Sequence, residues 1–235
     1  MGRAQPLREL MESLIAPPDR KFYTGTIKDP RAVFSDKGIE ALDAKHRGSF
    51  VLFSYDSAVD ADLAKYVTSN ALADDSGPNI LALYQLDRAP KPSHGLAAHG
   101  VESLIKQSPL IDFVTETFDG KLQPVPGMLV LGRLSSPTTA IYVSLNRTEK
   151  ERPISDRVRE VLRLIADATK PGTPDVLNSA GLGTALGLRN IPYSSSRPTT
   201  VLEKFAGLLG ALWAHKSDLL AVAKLAASVK TGGGG

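Results

Sequence analysis

The chain carries no cysteine among its 235 residues, so any chemistry must come from hydroxyls, carboxylates, imidazoles and amines. That alone excludes disulfides, thiolate metal sites and thiol catalysis. The best-placed reactive set lies in "YDSAVDAD", where Tyr55, Asp56, Ser57 and Asp60 form a polar corner between a buried apolar run and a helical pattern. Ser57 could serve as a nucleophile, with Asp56 or Asp60 as base or cation ligand. The same residue types have a plainer use. Asp and Ser at the entry to a helix accept hydrogen bonds from its unpaired N–H groups and place negative charge at the positive end of its dipole. Capping explains the corner more simply than reaction does, and no catalytic residue is assigned.

The remaining candidates are weaker. His94 and His99 are five apart in and beyond a Pro-Gly loop, which is not the spacing of a helical metal pair, and no Glu lies between them as in H-E-x-x-H. His46 and His215 stand alone. "GLGTALG" at 181–187 is rich in glycine, but its third Gly falls one residue late for a dinucleotide loop and no strand pattern leads into it. No metal or cofactor is therefore expected. The 28 basic and 25 acidic residues leave a net charge of +3, without the Lys/Arg block that neutralises a row of phosphates, so nucleic acid is not expected either. Charges interrupt the apolar residues of "MGRAQPLRELMESLIAPP", which therefore lacks the h-region of a secretory signal and points to cytoplasmic residence.

The elements that must position these residues follow from periodicity. Leu7, Leu10, Met11, Leu14 and Ile15 fit a short docking helix within residues 1–20, stopped by Pro17-Pro18. "KFYTGTI" at 21–27 alternates like an edge strand, and Ser35 offers a cap for a helix near 36–46. "SFVLFSY" is a continuous apolar run of the kind covered on both faces; a helix follows, and "ILALYQL" at 80–86 is a second such run. Strand, helix and strand at this separation predict a right-handed parallel unit. A helix is expected at 96–107. "LIDFVTETF" fits both periods and is taken as a strand. "GMLVLGRL" and "TAIYVSL", joined by "SSPT", predict an antiparallel hairpin, and "ISDRVREVLRLIADA" is a strongly amphipathic helix. Pro, Gly, Ser and Asn throughout 170–198 predict a linker or surface loop.

From residue 21 to 169 this order resembles the thioredoxin-like superfamily, in which a hairpin preceded by a proline is followed by a last helix. "VPGMLVLG" is similar to the segment where that family places a cis-proline before its third core strand, which makes Pro126 the matching position. The resemblance implies an α/β domain with a central mixed sheet of four or five strands. It also implies a helix N-terminus beside a proline loop, a surface that relatives use to hold extended peptides. The family's redox cysteines would fall in the stretch 57–63, where this chain has none, so thiol–disulfide exchange is excluded by residue type.

The C-terminal segment 199–235 reads as a separate amphipathic helix with a Gly tail. Val201, Phe205, Leu208, Leu212, His215 and Leu219 follow a 4-3 spacing that continues to Val229, and Trp213 widens the stripe. Three destinations fit: packing on the chain's own domain, self-association, or lying on a membrane surface through Trp213. The functional expectation is a non-catalytic interaction or assembly protein. Its partner would be a protein or a second copy, held at Tyr55, Asp56, Ser57, Asp60 and Pro126, with Phe205, Leu208, Leu212, Trp213 and Leu219 driving association. The rival expectation is an α/β enzyme or nucleotide sensor with its site at the strand ends around Tyr55 to Asp60.

Overall fold

Two of the apolar runs lie side by side at the centre of the computed structural model, which describes residues 3–15, 36–55, 60–85, 109–122, 126–145, 152–173 and 175–212. Among these residues six strands form one open mixed sheet: β1 (Arg3–Pro6), β2 (Ser49–Ser54), β3 (Ile80–Tyr84), β4 (Gly127–Leu131), β5 (Ile141–Ser144) and β6 (Tyr193–Ser195). Their order is β1-β3-β2-β4-β5-β6. β1, β3 and β2 run parallel, while β4 is antiparallel to β2, β5 to β4 and β6 to β5. The parallel β2–β3 unit and the β4–β5 hairpin follow the periodicity that predicts them.

The helices are α1 (Leu7–Ile15), α2 (Asp36–Lys45), α3 (Ala61–Val67), α4 (Asn70–Ser76), α5 (Pro109–Thr117), α6 (Ile154–Ala168), α7 (Ser179–Leu188) and α8 (202–212). They form two layers because the sheet is apolar on both faces. Phe50, Leu52, Leu81, Leu83, Leu129, Leu131 and Tyr142 share one core with residues of α1, α2, α5 and α8. Val51, Phe53, Ile80, Ala82, Met128, Val130, Ile141 and Val143 share the other with residues of α3, α4, α6 and α7. Alternation along each strand sends neighbours to opposite layers. A strand buried on both faces therefore reads as a continuous apolar run.

The sheet has six strands rather than the four or five expected, and four further expectations are corrected. First, residues 1–20 are not only a docking helix, because β1 precedes α1 and pairs with β3 through Arg3↔Leu81 to Pro6↔Tyr84. Pro6, which has no N–H to give, is tolerated on this outer strand. Second, 109–117 is a helix rather than a strand. Leu110, Phe113, Val114 and Thr117 are buried together on one face, and the Thr115 and Thr117 hydroxyls donate to the carbonyls of Ile111 and Phe113, one turn back, so these β-branched residues fit the helix. Third, 170–198 is not a linker. Its Val176, Leu177, Leu182, Leu186 and Ile191 are buried, and within it the Asn178 side chain caps α7 by accepting from Gly181 N at 3.0 Å. Fourth, the C-terminal helix is not a separate element over its described part. Val201, Leu202, Phe205, Leu208, Leu209 and Leu212 belong to the core of the first layer, and the Phe205 ring meets Phe113 edge to face with centroids 6.1 Å apart. The expected strand at 21–27 and helix at 96–107 lie outside the described residues.

Close approach at one point fixes the start of the central strand. A Cβ on Gly48 would overlap the Asn79 carbonyl, and that same oxygen accepts the Ser49 N–H at 2.9 Å as β2 enters the sheet beside β3. A side chain there cannot be accommodated without displacing main chain. Gly48→Ala is expected to cost about 3 kcal/mol or more, read as a lowered denaturant midpoint at unchanged slope; an unchanged midpoint would contradict the packing described.

Phe205 is fully buried, so Phe205→Ala is expected to cost about 3–5 kcal/mol. A chain ended at residue 200 should lose cooperative unfolding by near-ultraviolet circular dichroism. A truncated chain that melts cooperatively near the parent temperature would show α8 to be dispensable.

Candidate functional site

The predicted corner is built where β2 leaves the sheet. The ladder between β2 and β4 ends at Ser54↔Gly127, so one further step in this antiparallel register sets Tyr55 opposite Pro126. The Tyr55 hydroxyl donates to the Gln85 carbonyl at 2.8 Å, tying the carboxyl ends of β2 and β3 together. The Pro126 carbonyl accepts from Leu145 N at 2.7 Å, which anchors the entry to β4 against the end of β5. Gly127 lies under an aromatic ring: a Cβ there would sit 2.5 Å from the end of the Tyr142 side chain and 2.7 Å from the Val143 carbonyl. The strand start is therefore kept slim beside Pro126.

Asp60 stands at the cap position of α3, and its main-chain carbonyl accepts from Ala64 N at 2.9 Å. Its carboxylate makes no capping hydrogen bond, contrary to the capping expectation. Its backbone, at φ −103° and ψ 47°, is outside the extended region from which a cap side chain reaches the first turn. Register and helix start thus bring Tyr55, Pro126 and Asp60 to the same end of the sheet. Asp56 and Ser57 lie outside the described residues.

The association residues are placed differently. Phe205, Leu208 and Leu212 are buried in the chain's own core, which withdraws them from the association surface expected of them. Trp213 and Leu219 lie outside the described residues, as do His94, His99 and His215. "GLGTALG" falls inside α7, where its amides are committed to helix formation rather than to a phosphate cradle. Among the described residues no cluster of three or more His, Asp or Glu could hold a metal ion. No described helix is long and apolar enough to cross a membrane.

The buried polar groups that sequence reasoning passed over serve mainly to join elements. Asp43 of α2, buried, accepts from Leu134 N at 3.1 Å and from the Ser135 hydroxyl, with Arg133 at 3.9 Å; it fastens α2 to the chain leaving β4. His46 Nε2 donates to the Ser49 carbonyl at 3.0 Å, and its ring meets Phe50 edge to face. Ser49 Oγ donates to Thr169 Oγ1 at 2.8 Å, since the Thr169 hydroxyl is itself spent on the Ile165 carbonyl.

On the other layer Tyr66 of α3 donates to Asp75 of α4 at 2.6 Å, and Arg159 of α6 donates to the other oxygen of Asp75 at 3.0 Å and to Asp156 at 3.1 Å. Burial, then the hydrogen bond to the Asp75 carboxylate, pushes the Tyr66 phenol far above its ordinary value. Burial alone would raise the Asp75 carboxyl, but hydrogen bonds from Arg159 and Tyr66 outweigh it and hold it below the ordinary carboxylate range. In the sequence Asp75 sits in "DDSGPN", which reads as a turn, and Arg159 lies on the polar side of an amphipathic helix. Only their meeting across three helices reveals the pairing.

A shallow polar groove of about 600 Å³ opens at the opposite end of the sheet, lined by Arg133, Thr138, Thr139, Lys170, Asp175 and Asn178 among others. Gly132 and Arg133 follow Leu131, which pairs with Phe50 near the start of β2. The groove and the Tyr55–Pro126 corner are thus at different ends of the sheet.

Comparison of the chain with protein-family models, with curated proteins and with solved structures finds no match.

The Tyr66–Asp75–Arg159 junction makes stability depend on pH with a definite sign. A carboxyl whose folded value is depressed contributes stability above its unfolded value of about 4, and the contribution is lost as pH falls through the folded value. Tyr66→Phe should cost about 1–2 kcal/mol near neutrality. Between about pH 6 and about pH 2, the parent's denaturant midpoint should fall further than that of Asp75→Asn. Parallel curves for the two proteins would mean that Asp75 is not held ionised by its partners.

Proposed function

We propose that this chain is a non-catalytic binding protein on a thioredoxin-like scaffold, taking an extended polypeptide at the corner formed by Tyr55, Asp60 and Pro126. The observation that carries the reading is the register of β2 against β4, whose last pair, Ser54↔Gly127, leaves Tyr55 and Pro126 as the next residue on either strand at one end of the sheet, with Asp60 at the start of the following helix. The element order supports the scaffold: a parallel β2–β3 pair, a proline directly before β4, an antiparallel β4–β5 pair and then α6. Thiol chemistry is barred by the lack of cysteine. What the corner offers is therefore a surface at the ends of two interior strands, a proline that fixes the backbone and removes a donor, and an acidic group at a helix start. Because β2 and β4 are interior strands paired on both sides, an extended chain would be held here by the shape of the surface and by the acidic group rather than by strand addition.

A second reading, a nucleotide sensor or enzyme, draws on one observation. The parallel strands β1, β3 and β2 end together on this side, through Pro6↔Tyr84 and Phe53↔Tyr84, and open α/β sheets hold ligands beyond the carboxyl ends of their strands.

Peptides selected from an unbiased library against the full chain should shift the amide resonances of Ser54, Tyr55 and Gly127 in a titration. Their affinity should fall about tenfold or more, a loss of about 1.4 kcal/mol, in Asp60→Ala, with the unfolding midpoint retained. Selected peptides that move resonances around Thr138 and Lys170 instead, or binding indifferent to Asp60→Ala, would overturn the reading. A nucleotide or divalent cation that raises the melting temperature of the parent but not of Asp60→Ala would favour the second one.

A further inference from the structure

We draw no further inference here: the strongest candidate, the polar groove between the chain leaving β4, residues 170–178 and the start of α7, carries nothing because its Arg133 is already met by Asp43 and, among the described residues, no unpartnered buried polar group lies in its lining to mark an occupant.

Discussion

The constraint on which the molecule depends is that its central strands are apolar on both sides. Phe50 and Leu52 face one layer while Val51 and Phe53 face the other, and all four are fully buried. Leaving either face in water would forfeit about 25 cal/mol for each Å² of apolar surface, so two helical layers are required. Much of the first layer comes from the two ends of the described chain, α1 and α8, with α2 and α5 between them in sequence. The apolar stripe from Val201 to Leu212 is thus explained within the molecule: it covers the sheet. The second layer needs α7 as well as α3, α4 and α6, and this draws a Gly- and Ser-rich segment into regular structure despite its composition.

Apolar layers alone would leave helices free to slide, and the polar junctions restrict that freedom. Asp43 ties α2 to the chain leaving β4 by accepting from a main-chain amide and a hydroxyl. Tyr66, Asp75 and Arg159 join three helices of the other layer through two oxygens of one carboxylate. The perturbations are coherent: a phenol that stays protonated can donate, and a carboxylate that stays ionised can accept from both neighbours. A buried polar group without a partner would cost more than the junction contributes, so these groups make their partners' positions obligatory.

What could be read from the sequence follows the same physics. β2, β3, β4, β5 and α6 were legible because burial on both faces of a strand, or on one face of a helix, leaves a periodic record in residue type. α5 was ambiguous because Leu110, Phe113, Val114 and Thr117 fit a helix while Ile111, Phe113 and Thr115 alternate like a strand, and packing against α8 decides between them. β1 and β6 were missed because they have four and three residues, too short for any period to show, and because an outer strand needs few apolar residues. α7 was missed because its composition signals a loop, while Asn178 as cap and Leu182 and Leu186 as buried residues supply what a helix needs. At the corner, Tyr55, Asp60 and Pro126 were legible individually, but their common location was not, since it depends on a pairing between strands more than seventy positions apart.

The distribution of polar groups bears on what kind of activity this fold can support. Catalysis by side chains requires a nucleophile or base that is held in place yet left free to react. At the corner the Tyr55 hydroxyl is already spent on Gln85, and among the described residues the buried groups of Tyr66, Asp43, His46 and Thr169 are engaged with Asp75, Leu134, Ser49 and Ile165. A surface whose side chains are occupied in holding the fold still presents shape, and recognition through shape leaves little signature in residue type. The binding role proposed for the Tyr55–Pro126 corner would rest on recognition of this kind.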